Sequence, residues 1–293
     1  MKLAVFYPEN ITCAWSLQIG LCDVLERMGH QVTRCGITDR LKRPADLNAY
    51  DALIVSGPEH IGKHLVAQPD WKDCKVPRIG WLHESVRRED YGKLDVDAIK
   101  RTCDQVYCPA QEDEEFGFKY LPFGVDTAIF HPSYCVGCTM EQNNHALKGE
   151  HTCQRDIDLA FIGMVYPKRE AYLKTLPESF RKRLLIGNCL VQDLHGVNIR
   201  KSVELYAETL RRIKVFFMLP ALSRLTVTKI YEAAACGAFI SESVEEAEFF
   251  LSDSFLAKAK INKLTTDRAS AVQSEHSLEN RIETLLSSVQ VAA

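Results

Sequence analysis

No run of apolar residues in this 293-residue chain is long enough to cross a bilayer. The amino terminus carries no charged-then-apolar leader, because Lys2 passes at once into the strand-like run Leu3–Tyr7. From both absences we expect a cytoplasmic protein without a membrane span. An excess of charge is also missing: 36 Lys and Arg stand against 39 Asp and Glu, net -3. That balance provides no global attraction to nucleic acid, although it leaves room for a local basic face. There is no internal repeat and no low-complexity tract. No G-x-G-x-x-G follows Leu3–Tyr7, which argues against an NAD- or FAD-binding first unit. Cysteine, by contrast, is plentiful at 11 residues. Most lie singly inside helix or strand patterns, where a thiol behaves as a small hydrophobe and stays reduced in a cytosolic chain.

The pattern that is present alternates short apolar runs with amphipathic stretches. Strands are expected at Leu3–Tyr7, Gln31–Cys35, Ala52–Val55, Arg78–Leu82 and Gln105–Tyr107. A helix over Ser16–Gly29 places Leu17, Leu21, Val24, Leu25 and Met28 on one face, with Gly29 as its stop. A further helix is expected over Asp95–Thr102. A second series starts near Asp158, with strands at Leu159–Ile162, Arg183–Ile186, Val215–Leu219 and Phe239–Ser241. Helices lie between them at Lys168–Leu176, Ser202–Ile213 and Val227–Cys236, the last stopped by Gly237, and others start at Glu245 and Leu278. Strands separated by helices imply right-handed crossovers and mostly parallel sheets. Two Rossmann-like halves follow: a domain over 1–132, a polar linker or insertion over 133–155, and a domain over 156–293 whose last helix packs back on the first.

Three segments carry a resemblance. Leu121-Pro-Phe-Gly-Val-Asp-Thr-Ala-Ile-Phe-His-Pro132 resembles the P-x-G-V-D-x-x-x-F-x-P segment of the GT-B glycosyltransferases. Asp158-Leu-Ala-Phe-Ile-Gly-Met-Val-Tyr-Pro-Lys-Arg169 is similar to the strand, glycine turn and basic helix start that open their nucleotide-binding domain. Lys229-Ile-Tyr-Glu-Ala-Ala-Ala-Cys-Gly-Ala238 resembles their R-x-F-E-x-x-A-C-G donor-site helix. Order and spacing match across most of the chain, with the spore-maturation type as the nearest subgroup. The resemblance implies an α/β, GT-B-like fold: two Rossmann-like domains with parallel sheets facing across a cleft. It also implies metal-independent transfer from a nucleoside-diphosphate sugar, a UDP-sugar first, with retention of configuration. No cofactor is expected to be required for catalysis.

Each segment suits that chemistry. Gly163 ends a strand and allows close approach of a ligand. Lys168 and Arg169 then open a helix, whose positive dipole end favours a diphosphate, although a solvated basic pair is the plain alternative. Glu232 lies in an otherwise apolar helix, where a ribose diol would be a fitting partner. The resemblance assigns it that role. Lys229 stands where the family has arginine and lacks the bidentate fork. Many relatives also carry a glutamate eight residues before the matching one, but this chain has Arg224 there.

In the first half, Trp81-Leu-His-Glu84 ends the fourth strand, and residues past the carboxyl ends of parallel strands line ligand crevices. His83 and Glu84 are therefore the candidate catalytic residues, against a structural histidine and a helix cap. Glu9 and Trp15, in the loop after the first strand, are candidate acceptor contacts. Ser56-Gly-Pro-Glu-His60, after the third strand, has similar standing. Cys135-Val-Gly-Cys138 with His151 and Cys153 forms the ligand vocabulary of a structural zinc site, against reduced thiols in an insertion.

Three functions remain open. The first is sugar transfer to an acceptor the sequence does not name. The second keeps the fold and takes DNA as acceptor, glycosylating a hydroxymethylated base in the manner of a phage enzyme, with Arg87 and Arg88 as a basic stretch. The third is an inactive module of this fold that binds a nucleotide or a partner.

Overall fold

The computed structural model describes residues 1–8, 15–36, 44–87, 94–132, 155–187, 197–220, 228–252 and 269–290. For residues 15, 16, 18, 19, 197–201 and 290 it describes the backbone alone. The chain divides into two units. The first holds Met1–Asp126 and Leu278–Ala293, and the second Thr127–Ala221 and Val227–Ser277.

The first unit is built on a six-stranded sheet in which every pairing is parallel. Its strands are β1 (Lys2–Phe6), β2 (Gln31–Cys35), β3 (Ala52–Ser56), β4 (Arg78–Trp81), β5 (Gln105–Cys108) and β6 (Lys119–Tyr120). They lie in the order β2-β1-β3-β4-β5-β6. β3 is buried along its whole length, as a strand covered on both faces should be. The connecting helices are α1 (Trp15–Arg27), α2 (Pro58–Val66), α3 (Pro69–Lys72) and α4 (Val96–Thr102). Asp95 caps α4 by accepting from the Ala98 amide at 2.8 Å, which satisfies one of the first-turn donors. Under the sheet, Phe6 meets Trp71 edge to face at 5.2 Å, amid Leu53, Val55, Ile61 and Leu65.

The second unit carries β7 (Ile157–Ile162), α5 (Pro167–Thr175), α6 (Glu178–Arg183), β8 (Leu185–Gly187), α7 (Val197–Arg212), β9 (Ile213–Phe217), α8 (Thr228–Ala235), β10 (Phe239–Ser241) and α9 (Val244–Leu251). Its sheet is parallel throughout, in the order β10-β9-β7-β8. α8 closes as a Schellman turn: the Gly237 amide donates to Ala234 at 2.8 Å and the Ala238 amide to Ala233 at 2.9 Å. Phe161, Phe180, Phe216 and Phe217 fill the core.

The last helix, α10 (Leu278–Gln290), belongs to the first unit. The Leu278 amide donates to the Val125 carbonyl at 2.9 Å, and the Tyr107 hydroxyl donates to that of Thr284 at 3.2 Å. Nearby, Asp126 of the P-x-G-V-D segment accepts from both Arg27 terminal nitrogens, at 2.5 and 3.2 Å. The expected strands are all present within a residue or two of their bounds. α2, α3, α6 and the short β6, by contrast, were not expected. Among the described residues, no helix is long and apolar enough to cross a membrane.

Candidate functional site

In each sheet the strand order reverses at one point, between β1 and β3 in the first and between β7 and β9 in the second. In open parallel sheets the crevice beyond the strand carboxyl ends near such a point is where ligands bind. Of the residues singled out from the sequence, Gly163, Arg169 and Lys229 lie about the end of β7, and His83 and Glu84 follow β4.

At the end of β7, Gly163 continues the ladder by donating its amide to Gly187 at 2.8 Å. A β-carbon on Gly163 would collide with the Lys229 ammonium and come within 2.9 Å of Phe161 Cζ. Only glycine leaves room there. Lys229 donates to the Ile162 carbonyl at 2.8 Å and lies 5.7 Å above the Phe161 ring. Arg169, 8% exposed, lies 4.8 Å from that ring and 4.4 Å from the Tyr166 ring. It donates to the carbonyls of Pro220 at 3.0 Å and Met164 at 2.7 Å. Pro220, just past β9, also accepts from the Tyr166 hydroxyl at 2.6 Å, so the ends of β7 and β9 are tied together.

No described carboxylate pairs with Arg169. Burial holds its guanidinium below the usual arginine range, since losing water disfavours the charged form. One turn along α8 from Lys229, Glu232 is 2% exposed, and the i,i+3 spacing places both on one helix face. Lys168, beside Arg169, is exposed. Gly163, Arg169 and Lys229 therefore share one aromatic floor, Glu232 lies a turn beyond Lys229, and Lys168 stands outside.

The first unit has the opposite character. His83 is 4% exposed, and its Nε2 lies 2.8 Å from the Ser56 hydroxyl. Burial, with His60 nearby, pushes its pKa down to about 3, so the imidazole is neutral. Gly57 joins β3 to α2 at φ 77, in the left-handed region, where a β-carbon would lie 3.0 Å from His83 Nδ1 and 3.3 Å from His60 Cδ2. Glu84, half-buried, follows His83. Both of their amides donate to one oxygen, Glu59 Oε1, at 2.6 and 3.0 Å. The Glu59 side chain is fully enclosed, and burial pushes its pKa up to about 8.

Glu59 was not singled out by itself in the sequence. The available signal was Gly-Pro-Glu-His after an apolar strand, a proline in position to open a helix with an acid in its first turn.

Arg87, 45% exposed along its side chain, is paired with Glu115 and lies over the Phe116 ring at 5.5 Å. Glu9, Arg88, Arg224 and the zinc candidates Cys135, Cys138, His151 and Cys153 lie outside the described residues. So does the side chain of Trp15, whose backbone opens α1. Among the described residues, no group of three or more His, Cys, Asp or Glu is arranged to hold a metal, and six cysteines are free thiols.

The chain is similar to an alpha-glucosyltransferase solved with UDP and a 13-mer DNA containing an HMU base. The two are 10% identical over 99% of each chain, with a TM-score of 0.62. It is also similar to Anabaena Alr3699/HepE in complex with UDP-glucose, at 10% identity over 98% of this chain and 99% of that one, TM-score 0.56. The fold is GT-B-like. A putative UDP-N-acetylglucosamine 2-epimerase from Listeria monocytogenes also resembles it, at 11% identity over 100% and 98%, TM-score 0.50. Because that neighbour is named for a different reaction, the likeness fixes the architecture and leaves the reaction to the site residues. No family model and no curated protein matches the sequence.

Proposed function

We propose that the protein transfers a sugar from a nucleoside-diphosphate sugar, UDP-linked in the first instance, to an acceptor. The observation that carries this reading is Arg169: a desolvated guanidinium at the end of β7, held by backbone carbonyls, with no described carboxylate to neutralise it. A buried cation without a counter-ion is costly, and a diphosphate is a ligand that would balance it. Lys229 and Gly163 fit the same diphosphate by charge and by close approach, and Glu232 fits the ribose hydroxyls. Charge building on the departing diphosphate would be stabilised by the same cations.

On the acceptor side, Glu84 is the better candidate to take a proton. His83 is enclosed, neutral and bonded to Ser56, which suits holding the turn rather than exchanging a proton with a ligand. The spore-maturation subgroup and retention of configuration rest on the three sequence segments. The anomeric proton coupling of the product, read by NMR, decides the second.

DNA as acceptor is a second reading, favoured by the DNA in the complex of the first structural neighbour. Against it, Arg87 is already engaged by Glu115. Binding to duplex DNA that weakens steeply with salt would support this reading.

The test is thermal stability with UDP, ADP and UDP-glucose. A diphosphate at a hundred times its dissociation constant should add about 2.7 kcal/mol. Release of UDP from UDP-glucose on adding acceptor would separate an enzyme from an inactive binding module. No stabilisation by any nucleoside diphosphate or its sugar would end the proposal.

A further inference from the structure

The residue left unexplained by the site above is Glu59. It sits in the first turn of α2, and its side chain is fully buried. One oxygen, Oε1, accepts from the amides of His83 and Glu84, while the other, Oε2, is buried and has no hydrogen-bond partner among the described residues. Among the described residues, four groups face it: His60 of its own helix, whose Nε2 is 3.6 Å from Oε1, His83 and Glu84 from the turn after β4, and the Cys103 thiol at the end of α4. None of them is a fixed cation. An ionised carboxylate here would leave a charge in a dry site, near a second carboxylate. A neutral carboxyl has no such charge and still accepts both amides through its carbonyl oxygen.

We propose that Glu59 is the positioning residue of the acceptor side, a neutral carboxylic acid that holds the turn presenting Glu84. Glu59 acts through the two amides and touches no substrate. The part Glu84 plays in transfer rests on the proposed function; the positioning of the turn does not. The carboxyl titrates near pH 8, so the device has an alkaline limit. The two amides favour the ionised form, but its buried charge has to be hydrated; opening to water loosens the turn, and Glu84 loses its fixed place.

Amide hydrogen exchange, read by mass spectrometry across pH 6 to 9 and corrected for intrinsic exchange, tests this in the full chain. In the wild type, protection of the His83 and Glu84 amides should fall about tenfold as pH rises through 8. Glu59→Gln keeps the accepting oxygen and cannot ionise, so its protection should stay level. Glu59→Ala should lose protection in this turn at every pH, with β1 still protected as the control for folding. A level wild-type profile, or the same fall in Glu59→Gln, overturns the proposal.

UDP-glucose turnover, measured below the melting range, adds a functional readout. An alkaline limb near pH 8 should appear in the wild type and be absent in Glu59→Gln. If the exchange pattern holds and no nucleoside diphosphate or its sugar is bound, the transferase reading fails and the positioning role stands.

Discussion

The two sheet ends have the same topology and opposite chemistry. At the end of β7, two cations rest on one phenylalanine and are held by backbone carbonyls. At the ends of β3 and β4, two carboxyl groups and an uncharged imidazole crowd around one glycine-led turn. Burial shifts Arg169 at one end, and Glu59 and His83 at the other, toward neutrality, with a different meaning in each. A guanidinium stays charged under any such shift, so Arg169 keeps a positive charge that a bound anion would balance. A carboxylic acid and an imidazole give up their charge instead, so Glu59 and His83 become fixed neutral partners. One end is built to hold charge, the other to exclude it.

The largest effect that would break this comparison is in stability against pH. The unfolded chain ionises Glu59 from about pH 4.5, whereas the folded chain does so only near 8. Stability is therefore lost as pH rises through that window, by at most on the order of 5 kcal/mol. His83 acts at the other end. Unfolded, it gains a proton below about 6.5, but the folded imidazole does so only near 3, so stability is lost as pH falls between them. The two slopes oppose each other from about 4.5 to 6.5, giving a plateau with a fall on each side. Urea unfolding of Glu59→Gln should show the alkaline fall removed and the acid one intact. Parallel curves for variant and wild type would mean that Glu59 is charged in the folded chain.

The next effect belongs to the cationic end. Arg169→Met keeps much of the packing on Phe161 and Tyr166 and removes the charge. UDP affinity should fall about a hundredfold, roughly 3 kcal/mol, the scale of a buried charge-assisted hydrogen bond. Calorimetric titration reads it, and unchanged affinity would place the diphosphate elsewhere. Glu232→Ala should be smaller, about tenfold or 1.4 kcal/mol. Its sharper signature is selectivity: the wild type should prefer UDP over its 2′-deoxy form, and the variant should bind the two alike.

Architecture was legible in the sequence because buried parallel strands read as apolar runs. Leu3–Tyr7 and Ala52–Val55 needed no other evidence. The grouping of Gly163, Arg169 and Lys229 was foreshadowed because its members lie in segments with local signatures: a glycine after a strand, a basic helix start, and, for Lys229, the start of a helix that carries Glu232 among alanines. Glu59 had no such mark. Its burial depends on the turn after β4, more than twenty residues away, whose amides find their acceptor only once β3 and β4 pair through Ser56 and Trp81. α2 was missed for a related reason. Gly62 interrupts its pattern because the Thr102 hydroxyl packs where a side chain would be, and that is a contact set by tertiary structure. The exposure of Lys168 next to the burial of Arg169 was invisible too, since adjacent helix positions differ by about 100° and the sequence does not say which one faces inward.

That last distinction yields the smallest prediction and the most direct check on what the basic pair does. If the helix dipole and general positive charge at the start of α5 attract the diphosphate, Lys168 and Arg169 should matter alike, because both lie in the same first turn. If desolvation makes the difference, Lys168, in water, is screened and contributes little, while its buried neighbour carries the binding. Lys168→Ala should therefore weaken UDP by less than about threefold, or 0.6 kcal/mol, against about a hundredfold for Arg169→Met. Raising salt from 50 to 300 mM should erase the Lys168 effect and leave most of the Arg169 effect. Comparable losses from both substitutions would show that the charge of the helix start, and not the buried guanidinium on Phe161, selects the anion.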